Sequence, residues 1–202
     1  MKVLGIAGSP RPDGNTDILL KEVLRGAASR GGEIRTIFLR DLKIGPCDHC
    51  DVCLETGKCW IMDDMQQVYD EVNRADRLVL ASPLHFVGLT AQTKAMVDRF
   101  QALWAQKYRI CKPTLEKRRA RRGLLVSVGA RKTSNLFAPA IATVKALFAV
   151  LDIKYAGDVL FEGVDGKGEI LKNPVAMRQA FIAGEQLTET PPEKPAAAGS
   201  GD

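Results

Sequence analysis

A strand, a turn and the start of a helix follow one another in residues 2–16, which read KVLGIAGSPRPDGNT. Lys2 to Ala7 form a short apolar run of the length of a buried strand. Gly8 ends this run, and the turn leads into residues 15–30, whose apolar side chains recur at helical spacing until Gly31. The segment therefore predicts the opening strand–turn–helix unit of a parallel sheet.

The same alternation continues along the chain. Apolar or alternating runs predict four more strands, and periodic apolar residues predict four more helices. We expect strands at residues 33–39, 77–81, 123–128 and 154–161, and helices at 63–75, 90–106, 136–151 and 174–187. Five such units predict an α/β fold, an open parallel sheet with helices on both faces. Ligands of such sheets bind at the carboxyl ends of the strands.

The amino-acid composition excludes several classes of protein. The 202 residues are 46% apolar and 26% charged, an ordinary globular mixture that excludes wholesale disorder, collagen and coiled coil. No apolar stretch predicts a membrane span and no secretory signal is visible, so we expect a cytoplasmic protein without a membrane partner. We expect one domain over residues 1–187 and a disordered tail over residues 188–202, where Pro, Ala, Gly and Ser dominate.

A basic segment lies in the second half of the chain. Residues 107–122 carry eight basic side chains and one acidic side chain, whereas the net charge of the whole chain is +5. Such a run is often a solvated surface. The alternatives are a docking surface for an acidic protein, a site for the phosphate of NADPH, or a nucleic-acid patch. No recognition motif accompanies the segment, so we expect no nucleic-acid partner.

The turn after the first strand has the composition of an anion cradle. Small residues let backbone N–H groups approach a phosphate, and the helix start adds its dipole and free donors. The polar residues available there are Ser9, Arg11, Asn15 and Thr16, with Gly14 before the helix. The turn lacks the Lys of a Walker A loop and the glycine spacing of a dinucleotide turn, which favours a single terminal phosphate. The alternative is an ordinary strand–helix turn.

Two more turns follow strands of the same predicted sheet. Residues 82–88 read SPLHFVG and offer the backbone ledge and apolar wall that a planar aromatic ligand needs. Residues 127–130 read SVGA, and their small size allows close backbone approach. Each turn alone is a weak signal, but three such turns at one edge of the sheet indicate a binding site.

The loop at residues 40–62 holds four of the five cysteines: Cys47, Cys50, Cys53 and Cys59. A single tight run of thiols favours an iron–sulfur cluster, because structural zinc more often uses two separated pairs. Disulfides are rare in the cytosol. Zinc and empty thiols stay open as alternatives. We assign no role to the fifth cysteine, Cys111.

These motifs carry a family resemblance. The turn at residues 8–16 and the SPLHF segment at residues 82–86 resemble the NAD(P)H-dependent FMN reductase branch of the flavodoxin-like fold. The cysteine motif, followed by Asp63-Asp64-Met65, resembles the iron–sulfur flavoprotein subgroup of that branch. The resemblance covers about residues 1–187. It implies a three-layer sandwich with a five-stranded sheet in the order 2-1-3-4-5.

The resemblance also implies cofactors and the residues that bind them. It implies an FMN in each subunit, with phosphate contacts from Ser9, Arg11, Gly14, Asn15 and Thr16. The ring system would lie against two turns, at Pro83, Leu84, His85 and Phe86 and at Ser127, Gly129 and Ala130. A [4Fe–4S] cluster would be bound by Cys47, Cys50, Cys53 and Cys59. Subunits would assemble as homodimers or homotetramers.

One residue departs from the family pattern. His85 stands where the family often has Tyr, which changes ring stacking and places a titratable group in that turn. Simple replacement of one ring by another is the favoured interpretation. We assign no catalytic residue.

We therefore expect an FMN-dependent oxidoreductase with a [4Fe–4S] cluster, which links a one-electron donor such as ferredoxin to a two-electron, small-molecule acceptor. An acidic ferredoxin would suit the basic segment. The first alternative is an NAD(P)H-dependent FMN or quinone-type reductase without a cluster. The second is a non-catalytic electron-transfer flavoprotein.

Overall fold

The computed structural model describes residues 1–113 and 120–189. Five parallel strands form one sheet in the order β2-β1-β3-β4-β5, which confirms the expected fold class. The bounds of the strands are β1 Lys2–Ala7, β2 Glu33–Phe38, β3 Arg77–Ala81, β4 Arg121–Gly129 and β5 Ile153–Glu162. All five strand segments predicted from the sequence are present.

Helices cover both faces of this sheet. Their bounds are α1 Asn15–Ser29, α2 Val52–Thr56, α3 Met65–Arg74, α4 Ala91–Arg99, α5 Gln101–Tyr108, α6 Ala138–Val150 and α7 Pro174–Thr188. Two short 3₁₀ turns span Leu39–Asp41 and Glu169–Lys172.

Two hydrophobic cores separate the three layers. Leu4 and Ile6 of β1 face a core shared with α3, α4 and α6, whereas Val3 and Ala7 face a core shared with α1 and α7. Successive side chains of a strand point to opposite faces, so β1 supplies both cores. Every residue of β3 is buried, as a strand covered on both faces requires.

The last helix packs tightly against the first. A Cβ on Gly26 would collide with the Phe181 carbonyl, and a Cβ on Gly184 would collide with the Val23 carbonyl. The two glycines therefore let the backbones of α1 and α7 approach closely. This contact fixes α1, whose first turn lies at the edge of the sheet where β1 ends.

The predicted helix over residues 90–106 is two helices. Thr90 caps α4 by accepting a hydrogen bond from the Thr93 N–H, and α4 ends at Arg99. Tyr69 donates its hydroxyl to the Arg99 carbonyl at 2.5 Å, and Phe100 is buried between α4 and α5. Contacts distant in sequence therefore divide a segment whose local periodicity is continuous.

Smaller differences occur at other boundaries. The predicted helix start at Asp63 lies at Met65, and the short helix α2 inside the cysteine loop was not predicted. α7 extends through Thr188, one residue into the predicted tail; the rest of that tail, from residue 190, lies outside the described residues. Among the helices described, none is long and apolar enough to cross a membrane.

The basic segment is only partly described, since residues 114–119 lie outside the described residues. Arg121 is buried and donates to the carbonyls of Ala75, Leu151 and Val72. The prediction that Arg121 belongs to a basic surface is therefore wrong. Its side chain instead holds the start of β4 against the C-terminal ends of α3 and α6.

Candidate functional site

A cavity of about 250 Å³ opens where β1, β3 and β4 end. The turns predicted to bind a ligand meet here because the carboxyl ends of parallel strands lie at one edge of the sheet. The residues that line it are Ser9, Pro10, Arg11, Gly14, Asn15, Thr16, Pro83, Leu84, His85, Val128, Ala130, Val164 and Asp165.

The turn after β1 closes on itself. The Ser9 hydroxyl donates to the Arg11 carbonyl and accepts from the Arg11 N–H, both at 3.1 Å. A Cβ on Gly14 would lie 3.1 Å from both the Arg11 carbonyl and the Ser9 Oγ, so a side chain there would crowd the turn. Because Gly14 precedes α1 and has no side chain to cap it, the first N–H groups of α1 remain for a ligand.

Thr16 gives a more specific indication. Its side chain is buried in the first turn of α1, and its Oγ1 has no hydrogen-bond partner among the described residues. Leaving a buried hydroxyl unpaired costs about 1–3 kcal/mol. A phosphate at the start of α1 would accept this hydrogen bond and would be stabilised by the helix dipole. The cradle therefore fits the phosphate of FMN.

Asn15 and Arg11 contact the loop after β5. The Asn15 side chain donates to the Gly166 carbonyl at 2.9 Å and accepts from the Ile170 N–H, so both of its polar atoms are engaged within the chain. Arg11 reaches the Asp165 carbonyl at 3.5 Å. Sequence reasoning missed this loop, although its glycines, at Gly163, Gly166 and Gly168, could have indicated it.

The turn after β3 is held in an unusual conformation. The backbone N–H and carbonyl of His85 pair with those of Gly88 at 3.0 Å, and Phe86 and Val87 between them have φ values of +51° and +58°. Left-handed backbone costs about 1–2 kcal/mol per residue for side chains with a Cβ. The result is that His85 lines the cavity while Phe86 is fully exposed beside it.

Phe86 and Gly129 line a second cavity next to the first. This cavity has a volume of about 510 Å³ and a mostly apolar lining, formed by Leu84, Phe86, Val87, Gly129, Ala130, Arg131 and Leu136. Leu84 and Ala130 line both cavities. Ser127 is placed differently: its hydroxyl is fully buried and donates to the Ser82 carbonyl at 2.7 Å, which joins β4 to β3.

A buried ion pair lies beneath the turn after β1. Arg40 donates to the Asp17 carboxylate at 2.8 Å, and Asp17 also accepts from the Asp13 N–H. Burial raises the pKa of the Asp17 carboxyl, although Arg40 opposes the shift. The Arg40 guanidinium also lies 4.5 Å from the centre of the Phe38 ring. Arg40 therefore connects α1 to the start of the cysteine loop, a role that sequence reasoning missed.

The four cysteines of the loop lie around one cavity. Cys47, Cys50, Cys53 and Cys59 line one cavity, and none of the described cysteines forms a disulfide. His49 and Asp51 have positive φ values, which turn the chain sharply between cysteines. Burial, reinforced by the neighbouring thiols, raises the pKa of Cys53.

The donor set of this loop fits an iron–sulfur cluster, which is bound by four cysteine thiolates. Arg99, Gln101 and Ala102 also line the cavity at the four cysteines. In the described part of the chain, no group of three or more His, Cys, Asp or Glu side chains already has the arrangement of a metal site.

The far end of the loop is held by a second ion pair. Arg99 forms a two-pronged contact with Asp63, with distances of 2.7 and 3.1 Å. Asp63 also accepts from the N–H groups of Gly45 and Met65. Partial burial opposes ionisation of Asp63, but these hydrogen bonds outweigh it and lower its pKa. Asp63 therefore connects the far end of the cysteine loop to both α3 and α4.

A doubly covered parallel sheet in the order 2-1-3-4-5, with an anion cradle after its first strand, is the flavodoxin-like fold. The chain belongs to the NADPH-dependent FMN reductase family, whose family model matches residues 1–156. The family consists of FMN-dependent oxidoreductases.

Curated relatives fall in the predicted subgroup. The chain is 45% identical over 103 residues to iron-sulfur flavoprotein MJ1083 of Methanocaldococcus jannaschii, covering 51% of this chain and 53% of that protein. It is 42% identical over 106 residues to an iron-sulfur flavoprotein of Archaeoglobus fulgidus, covering 52% and 54%. The match thus spans about half the length of these relatives.

A solved structure shares the fold. The NAD(P)H:quinone oxidoreductase of Methanothermobacter marburgensis superimposes with a TM-score of 0.68, at 15% identity, over 94% of this chain and 98% of that chain. This likeness supports the fold of the whole described chain beyond the segment that the sequence relatives match.

The Arg40–Asp17 pair generates a testable prediction. Arg40→Met leaves the Asp17 charge buried without its partner, which should lower the free energy of unfolding by about 3–5 kcal/mol at pH 7.5. Loss of Arg40 raises the Asp17 pKa further, so protonation removes the buried charge as the pH falls. The loss of stability should therefore be smaller at pH 5, measured by urea denaturation.

Arg25→Met is the matched control, because Arg25 is an exposed cation on α1 whose ion pair with Glu22 lies at the surface. Its cost should be about 1 kcal/mol or less and nearly independent of pH. Equal losses in both variants at both pH values would contradict a buried charge pair at Arg40.

Proposed function

We propose that the protein is an FMN-dependent oxidoreductase with a [4Fe–4S] cluster. It accepts electrons singly from a donor such as ferredoxin and passes them through FMN to a two-electron acceptor. The observation that carries this proposal is the meeting of four cysteine thiols around one cavity in a chain that also has an FMN-type phosphate cradle. The names of the curated relatives, iron-sulfur flavoproteins, support it.

FMN, when bound, supplies the exchange between one- and two-electron chemistry, and the chain supplies binding and orientation. In this proposal Thr16 donates its hydroxyl to the phosphate, and the N–H groups after Gly14 complete the cradle. Arg11 adds charge at the mouth of the cavity. Pro83, His85 and Ala130 bound the space for the ring system.

The acceptor side is the apolar cavity beside the turn after β3. Its lining, which includes Leu84, Phe86 and Leu136, suits an apolar small molecule lying next to the flavin ring. A site of this kind favours turnover with small acceptors over a purely electron-carrying role. The exposed Phe86 and Val87 also supply an apolar surface for the homo-oligomeric assembly that we include in the proposal.

The basic segment contributes less to ferredoxin docking than its sequence indicates. Lys107 is engaged with Asp152 and the Ala149 carbonyl, and Arg122 donates to the carbonyls of Gln186 and Glu189. With Arg121 buried, Arg109 and Lys112 are the exposed basic side chains of the described part of this segment, and residues 114–119 lie outside the described residues.

A second candidate is an NAD(P)H-dependent reductase in which the cysteine loop holds no cluster. Two observations favour it. The family is named for NADPH-dependent reductases, and in the described part of the chain no group of three or more His, Cys, Asp or Glu side chains already has the arrangement of a metal site. The two candidates differ in which donor reduces the flavin.

The orphan hydroxyl of Thr16 gives the first prediction for this function. Thr16→Val keeps the shape of the side chain but removes its donor, so FMN should dissociate about tenfold more readily. The FMN-free variant should be at least as stable as the parent, because an unpaired buried hydroxyl has been removed. Fluorescence titration with FMN and thermal unfolding measure the two effects.

Thr143→Val is the control, since Thr143 is a partly exposed residue of α6 whose hydroxyl donates to the Pro139 carbonyl. It should leave FMN binding unchanged. Unchanged binding in Thr16→Val as well would remove Thr16 from the phosphate site.

The electron donor is tested by stopped-flow measurement of flavin reduction under anaerobic conditions. Reduced ferredoxin should bleach the flavin of the parent protein, and Cys53→Ser should abolish this reaction while retaining FMN, because a thiolate ligand is lost. Cys111→Ser, which changes an exposed thiol outside the cluster cavity, should react like the parent. Rapid bleaching by NAD(P)H in all three proteins, with no response to ferredoxin, would favour the second candidate.

A further inference from the structure

Arg99 is a fully buried cation at the end of α4. Its Nη1 and Nη2 atoms both contact the Asp63 carboxylate, so the guanidinium has a fixed plane and a fixed position. Burial opposes its charged form, but Asp63 and Cys59 outweigh burial and raise the pKa of Arg99. The side chain therefore stays charged.

The same guanidinium holds both ends of the cysteine motif. Nη1 donates to the Gly45 carbonyl at 3.0 Å, two residues before Cys47, and Nη2 donates to the Ile61 carbonyl at 3.1 Å, two residues after Cys59. One side chain thus brings together the two points where the chain enters and leaves the motif.

The third nitrogen of the Arg99 guanidinium differs from the other two. Its Nε is buried and has no hydrogen-bond partner within residues 1–113 and 120–189. Arg99 lines the cavity that the four cysteines surround, next to Gln101 and Ala102. An unpaired donor on a buried cation is costly, so the geometry calls for an acceptor that the protein atoms do not supply. Sulfur atoms of a bound cluster would be such acceptors.

We propose that Arg99 is a positioning residue that directs its Nε–H at the sulfur atoms of the cluster and thereby raises the cluster's reduction potential. This inference rests on the proposed function, because it requires a cluster at the four cysteines. A hydrogen bond and a positive charge beside the sulfurs stabilise the extra electron of the reduced cluster. Asp63 opposes this effect, since its carboxylate neutralises part of the Arg99 charge.

The opposite charges of Arg99 and Asp63 allow electrostatic tuning to be distinguished from a purely structural role. Arg99→Gln and Asp63→Asn both break the same ion pair and loosen the same loop, so loosening alone would shift the cluster potential in one direction. Electrostatic tuning predicts opposite shifts. Arg99→Gln should lower the potential by about 59 mV, a tenfold change for one electron, and Asp63→Asn should raise it.

The experiment is a redox titration followed by electron paramagnetic resonance on anaerobically reconstituted protein with FMN bound. Lys94→Gln removes an exposed cation from the same helix and should leave the potential unchanged. Arg99→Lys, which keeps the charge but not the Nε–H, should fall between the parent and Arg99→Gln.

The outcomes separate the inference from the proposed function. A parent protein that takes up no iron contradicts the proposed function itself. A loaded parent whose variants show equal potentials, or shifts of the same sign, overturns the role of Arg99 alone. Loss of the cluster from Arg99→Gln, Arg99→Lys and Asp63→Asn, with FMN retained, would also overturn it, because Arg99 would then serve assembly only.

Discussion

All five strands run in the same direction, and most of the molecule follows from this constraint. A parallel strand needs a crossover connection, so helices come to cover both faces and the strands between them must be apolar on both sides. The same constraint brings the carboxyl ends of β1, β3 and β4 to one edge. Turns that are far apart in sequence meet there and enclose the cavity in which we propose that FMN binds.

Two buried ion pairs then fix the cysteine loop relative to this scaffold. Arg40 and Asp17 hold its first residue against α1, and Arg99 and Asp63 hold its far end against α4. Buried pairs add little net stability, but losing one partner is costly, which makes them effective at fixing position. Between these anchors, Leu42 and Ile44 pack against the core shared with α3, α4 and α6, whereas most of the side chains from residue 45 to residue 62 are exposed.

Features of the structure that depend on the local sequence pattern were predicted correctly. Apolar runs located the strands, and the residues predicted from the turn after β1 and from the cysteine spacing line two cavities. Features set by distant contacts were not predicted. The helix over residues 90–106 divides at Phe100, where Tyr69 contacts the Arg99 carbonyl. The side chain of Asn15 donates a hydrogen bond to the loop after β5. Ser127 is buried because β3 lies beside it. Arg40 and Arg99 were missed for the same reason, since a lone arginine carries no sign of its buried partner.

The central claim is that the cysteine loop and the FMN cavity each hold a redox group in one chain. Quantifying iron, acid-labile sulfide and FMN in anaerobically purified or reconstituted protein, alongside its absorption spectrum, tests this most directly. The account predicts about four irons and four sulfides per chain, as a [4Fe–4S] cluster requires, together with bound FMN. FMN without iron or sulfide, even after anaerobic reconstitution, would contradict it.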